Sequence, residues 1–138
     1  MDRTIDLWLG DFEQDPHELA PTFQVRPFML SRKGDPVGLN RRPARRNLIV
    51  FRQKFSADEW WPNAIDAFMA SLGGWDEVKL LIELLRPKED PLVQFNLPVC
   101  GSPYQENNTI KPAMLAKLAA HGLTIGFEFG HHTPDEAS

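Results

Sequence analysis

Apolar residues recur along this chain with two different periods, and the switches between them mark out the elements. Ile5, Leu7 and Leu9 share one side of a period-2 pattern with Asp6 and Trp8 on the other, which predicts a short strand that Gly10 and Asp11 turn away. Asp15 before Pro16 has the form of an N-cap with proline at the first helical position, opening a short helix that Pro21 ends. Leu48, Ile49, Val50 and Phe51 run without a polar break, as a strand covered on both faces does. A helix is predicted from Trp61, with Pro62 in its first turn, an inward stripe of Ile65, Phe68, Met69 and Leu72, and a stop at Gly73 and Gly74. The next helix starts at Trp75, turns Val78, Leu81, Ile82 and Leu85 inward, and stops by Pro87. Val93, Phe95, Leu97 and Val99 restore the period of two, and Pro98, which cannot donate to a ladder, predicts that this strand ends there or lies at an edge.

The stretch from Thr109 to Phe129 reads as a helix followed by a strand. Thr109 has the chemistry of an N-cap, Pro112 falls in the first turn, and Ile110, Met114, Leu115, Leu118 and Ala119 recur at helical spacing up to Gly122. Leu123, Ile125, Phe127 and Phe129 then alternate with Thr124, Gly126 and Glu128. The whole predicts a single α+β domain over residues 1–130 with a polar tail at 131–138. Its order is β-α-β-α-α-β-α-β, with about four strands in one sheet and the helices mainly on one face. The last two strands, joined by a helix, should be parallel if they are neighbours. Phe68, Leu118, Ile125, Phe127, Phe95 and Val50 are the expected core. From Thr22 to Arg46 the periodicity lapses under Pro27, Gly34, Pro36, Gly38 and Pro43, so this is read as a long surface loop with one short extended piece around Phe28 to Leu30. Loops of that length inside a small domain are often functional.

Composition changes this picture little. Of 138 residues, 42% are hydrophobic and 25% charged, which is ordinary for a globular domain and argues against disorder. No run approaches the roughly 20 apolar residues of a membrane span, and Met1 to Gly10 lacks the apolar stretch of a signal peptide. Cys100 is the only cysteine, so no intrachain disulfide forms, and a cytoplasmic setting is expected. Charge is more informative. Between Gln24 and Lys54 nine basic residues face Asp35 alone, although the chain as a whole carries a net charge of −4.

With these segments laid out, the chain resembles a family of uncharacterised, mostly bacterial proteins known as domain of unknown function 4279. The likeness is carried by the first strand Ile5 to Leu9, by Pro27 followed by Lys33, Gly34 and Asp35, and by the closing helix and strand Lys111 to Phe129. It departs from that family where Ile49, Val50 and Phe51 stand in place of an expected tryptophan, and where Phe129 replaces a usual tyrosine. The resemblance implies a fold and no activity. Lys33, Gly34 and Asp35 themselves read as a turn, with Gly34 supplying a positive φ.

Catalytic chemistry finds little support. Cys100 has no nucleophile signature around it, and His131 and His132, adjacent on an extended tail, point apart and make a poor chelating pair. His17 is isolated, and His121 is explained as a helix C-terminal residue that favours the dipole. Asp11, Glu13, Asp15 and Glu18 lack the glycine and terminal glutamate of a calcium loop. No cofactor, metal or catalytic residue is assigned. Arg41, Arg42, Arg45 and Arg46, grouped around Pro43 and Ala44, are the sharpest feature, and with Arg52, Trp60 and Trp61 they form the expected partner-binding surface. The preferred reading is a non-catalytic protein-binding domain, in its most concrete form a bacterial immunity-type protein that neutralises a toxin or effector by covering it. One alternative is a nucleic-acid-binding module using the loop from Arg41 to Arg46, disfavoured by the acidic pI of about 5.5 and by the lack of an aromatic residue among the arginines. Another is an enzyme or sensor with a small-molecule pocket under Thr22 to Arg46. The bland alternative for the arginines is compensation of the acidic N-terminal segment.

Overall fold

The computed structural model describes residues 3–55, 61–85, 92–99 and 110–129, with the backbone alone for Arg3, Trp61, Pro62, 92–99 and 127–129. In chain order its elements are the strand Arg3–Gly10 (β1), the one-turn helix Pro16–Leu19 (α1) continued by a 3-10 turn at Ala20–Thr22, and the short strands Met29–Ser31 (β2), Pro36–Val37 (β3) and Arg42–Pro43 (β4). There follow the strand Leu48–Phe55 (β5), the helices Trp61–Ser71 (α2) and Trp75–Leu85 (α3), the strand Leu92–Val99 (β6), the helix Pro112–Ala120 (α4) and the strand Thr124–Phe129 (β7).

The fold is α+β, as the sequence predicts, and its centre is a sheet in the order β2-β5-β1-β6-β7. All neighbours are antiparallel except β6 and β7, whose helical crossover through α4 leaves them parallel. Strand alternation places Ile5, Leu7, Leu9, Ile49 and Phe51 on one face. There they pack with Ile65, Phe68 and Met69 of α2, Val78 and Leu85 of α3, and Met114 and Leu118 of α4. Helices therefore cover one face, and Leu48 to Phe51 are all buried. Val50, however, is not part of that cluster. Its register partners are Trp8 and Met29, whereas Ile49 and Phe51 point to the helices, and successive residues of a strand cannot enter the same core. The side chains of Phe95 and Phe127 lie outside the described residues.

Other expectations shift at their edges. The sheet has five strands rather than four, because the extended piece near Phe28 becomes β2. β6 is not an edge strand, but its pairing with β1 stops at Asn96, so Pro98 pairs only with β7 and its missing N–H breaks no bond to β1. The N-cap of α4 is Lys111, without a side-chain bond, and Pro112 is its first residue; Thr109 lies outside the described residues. Gly122, at φ +67°, follows the helix in the left-handed conformation expected of it.

The largest correction concerns the long loop, which is mostly a two-stranded ribbon. β2 pairs with β5 from Met29↔Val50 to Ser31↔Leu48, and β3 pairs with β4 at Pro36↔Pro43 and Val37↔Arg42. Four residues separate Ser31 from Pro36 and four separate Pro43 from Leu48, so both ladders keep one register. The Ala44 N–H donates to the Asp35 carbonyl at 2.7 Å and the Gly34 N–H to the Ala44 carbonyl at 2.9 Å, continuing the ribbon inward from Pro36↔Pro43. What interrupts it is the predicted Lys33-Gly34-Asp35 turn, closed by the Asp35 N–H on the Arg32 carbonyl at 2.9 Å with Gly34 at φ +97°. Two facing prolines, neither able to donate, explain why the outer ladder is so short.

Candidate binding surface

The ribbon from Arg32 to Asn47 forms an arm, and its base is bound to the N-terminal segment by a polar clamp. Asp15 caps α1 by accepting the His17 N–H at 2.9 Å, and its second oxygen accepts Arg32 Nη1 at 3.1 Å. Asp35 accepts the Arg32 N–H at 2.9 Å and the His17 imidazole Nε2 at 2.6 Å. The bond from the His17 backbone, followed by the contribution of Arg32, holds the Asp15 carboxyl below its usual range; the His17 ring and then the Arg32 N–H do the same for Asp35. Asn47 closes the other strand. Its Oδ1 accepts the Lys33 N–H at 2.8 Å, while its Nδ2 donates to the carbonyls of Phe12 at 2.8 Å and Gln14 at 3.3 Å. Arg46 Nη1 reaches Asp11 Oδ2 at 3.2 Å.

At the far end the chain reverses over Gly38 to Arg41, with the Arg41 N–H on the Gly38 carbonyl at 3.2 Å. Gly38 at φ +74° adopts the left-handed region readily, but Arg41 at φ +48° does so against its side chain. Leu39 at the tip is fully exposed. Arg41, Arg42 and Arg45 are exposed as well, and among the described residues no carboxylate pairs with them.

The predicted surface thus divides. Arg41, Arg42 and Arg45 stay together on the arm, whereas Arg46 belongs to its clamp. Arg52 is elsewhere, on the face of the sheet opposite the described helices, where it lies across from Asp6 on β1 and makes two 2.7 Å bonds to that carboxylate. Its guanidinium carbon also sits 3.8 Å from the centre of the Phe28 ring. With Asp6 only 1% exposed, this pair is part of the sheet's construction. Trp61 opens α2, but its side chain, like the whole of Trp60, Cys100, His131 and His132, lies outside the described residues. His121 does cap its helix, with Nδ1 2.6 Å from the Lys117 carbonyl.

Sequence reasoning missed the clamp. Asp15, Arg32, Asp35 and Asn47 are up to 32 positions apart, and only the Asp15-Pro16 cap and the Gly34 turn left any local signal. A pocket was expected under the loop from Thr22 to Arg46. A hollow of about 270 Å³ lies between the segment Thr22 to Val25, Phe51 of β5, Leu72 in the turn after α2 and one side of α3. Thr22 to Val25 are the first residues of that loop, so the cavity lies at its start, and the arginines take no part in its lining.

Among the described residues no group of histidine, cysteine, aspartate or glutamate side chains is placed to hold a metal ion, and no helix is long and apolar enough to cross a membrane. No family model, curated protein or solved structure matches the chain.

Proposed function

We propose that this chain is a non-catalytic protein-binding domain that docks through the arm, and that it is of the immunity type, neutralising a bacterial toxin by covering part of its surface. One observation carries the reading: Arg41, Arg42 and Arg45 project with Leu39 from a clamped ribbon, and no described carboxylate neutralises them. Compensation of the acidic N-terminal segment accounts for Arg46 with Asp11 and for Arg32 with Asp15, but not for these three. Holding the arm before binding reduces the ordering entropy lost on association, and grouped exposed arginines accelerate encounter with an acidic surface. The matching partner carries an acidic patch around a small apolar recess for Leu39. Membership of the domain of unknown function 4279 family belongs to the same proposal and rests on the first strand, the Lys33-Gly34-Asp35 turn and the closing helix and strand. A nucleic-acid role has less support, because the arm from Arg32 to Asn47 contains no aromatic residue on which a base would stack.

The test is a panel of bacterial toxin domains, screened for inhibition by the purified chain. For any domain that is inhibited, replacing Arg41, Arg42 and Arg45 with alanine should slow association at least tenfold and flatten its salt dependence, with an unchanged melting temperature. An unchanged on-rate would remove the arm from the interface. Gel retardation of DNA or RNA by the wild type, lost in the same variant, would replace the protein partner with a nucleic acid.

A further inference from the structure

Helix α3 is apolar on more sides than the core needs. Val78 and Leu85 are buried against the sheet, as its periodicity predicts, yet Leu80 and Leu84 remain 57% and 58% exposed. Glu77, Leu80, Leu81 and Leu84 follow i, i+3, i+4, i+7 spacing, so they form a second stripe, and all four line the 270 Å³ cavity. Phe23 and Phe51, edge to face with ring centres 5.4 Å apart, form part of the opposite wall. The hollow therefore has apolar sides and an apolar lip that no described segment covers, and its volume falls just under the roughly 300–1,000 Å³ of pockets for drug-sized ligands.

Its polar groups are few and sit together. The Thr22 hydroxyl already donates to the Leu19 carbonyl at 2.6 Å. Glu77 and Gln24 remain, and neither has a hydrogen-bond or ionic partner among the described residues. Gly73, at φ +103°, is what brings them close: a Cβ there would lie 3.2 Å from Glu77 Cβ and Cγ and 3.9 Å from Gln24 Oε1. The glycine that turns α2 into α3 thus leaves room for the Glu77 stem beside Gln24 at the pocket rim.

From the apolar walls and the single charged group we infer that this cavity binds a compact lipophilic ammonium compound, its hydrocarbon part against Phe23, Phe51 and Leu81 and its cation on Glu77. Binding would cover Leu80 and Leu84. A carboxylate ligand of the same shape would meet Glu77 with the wrong sign, and a neutral alcohol would forgo the charge-assisted bond. The site is separate from the arm and stands or falls independently of it.

Phenethylamine, 2-phenylethanol and 3-phenylpropionate form a suitable probe set, titrated into the isotope-labelled protein and followed by amide chemical shifts. The amine should perturb Thr22 to Val25 and Leu72 to Leu84, bind at least tenfold tighter than the alcohol, and leave the acid without saturable binding. Glu77→Gln, at an exposed position, should keep the melting temperature and reduce the amine to the alcohol's affinity, whereas Leu84→Gln should weaken both. Equal affinities for amine and alcohol, an unchanged amine affinity in Glu77→Gln, or shifts confined to other residues would each overturn the assignment. Replacing Arg41, Arg42 and Arg45 with alanine should leave amine binding unchanged.

Discussion

Removing Arg52 should destabilise this domain far more than removing any arginine of the arm. Asp6 and Arg52 are cross-strand partners on β1 and β5, joined by two bonds of 2.7 Å. Their exposures are unequal, at 1% for the Asp6 side chain and 29% for Arg52. Arg52→Ala strands a carboxylate that water barely reaches, and breaking a buried pair in this way costs about 3–5 kcal/mol. It also removes the contact with Phe28, a smaller loss of about 0.5–1 kcal/mol. Asp6→Ala leaves a guanidinium that still reaches solvent, so about 1–3 kcal/mol is expected. Replacing both by apolar residues, Asp6→Leu with Arg52→Met, should return stability close to the wild type, since the attraction of a buried pair does little more than offset its desolvation. Urea titration followed by tryptophan fluorescence reads these differences. With an m-value of about 2 kcal/mol/M, the loss in Arg52→Ala moves the midpoint by about 2 M. A loss below about 1 kcal/mol in Arg52→Ala, or a larger one in Asp6→Ala, would show that the Asp6 carboxylate has other donors or open access to water.

Three further outcomes follow from the arm. Asn47→Ala removes three side-chain hydrogen bonds, one across the ribbon and two to the N-terminal segment, so a loss of about 1–3 kcal/mol is expected, with faster amide exchange at Gly34 and Ala44; unchanged exchange would show that the clamp is not needed. The carboxyls of Asp15 and Asp35 titrate below 3.8 in the folded chain, so their contribution is fully present above that value and is lost as pH falls through the lowered folded values. Asp35→Asn should make amide exchange at the arm's base less sensitive to acid over that window, and equal sensitivity in the two proteins would refute the assignment. Arg41→Gly relieves a left-handed arginine and should raise stability by up to about 1 kcal/mol while slowing partner association; a fall in stability would show that the tip is not strained.

Much of the architecture was legible because it is written locally. The stripe of α2, the cap of α1, the turn at Gly34 and the alternation of β1 and β7 each need only a few neighbouring residues to be recognised. The ribbon was not legible, for a physical reason. β3 and β4 are exposed on both faces, so no alternation of apolar and polar residues marks them, and their prolines read as loop punctuation. Val50 was misplaced for the opposite reason: an unbroken apolar run conceals which residue faces which side. The second stripe of α3 escaped because Leu80 and Leu84 look like ordinary helix-forming leucines until the core is seen to be complete without them.

The same limit applies to the arginines, which are alike in sequence and differ in what stands near them. Arg32, Arg46 and Arg52 are each opposite an aspartate from a distant segment, and those encounters depend on the fold rather than on spacing. Arg42 lies two residues and Arg41 three residues beyond Ala44, which pairs with Asp35 at the clamp, so the tip at Arg41 is separated from the clamp by about 10 Å of extended chain. That is close to the Debye length at physiological ionic strength, so the clamp's carboxylates are largely screened from the tip. A chain with net negative charge can therefore still present a positive field at one point. Lengthening the arm would separate tip and clamp further at a loss of rigidity, and shortening it would let the aspartates neutralise the tip.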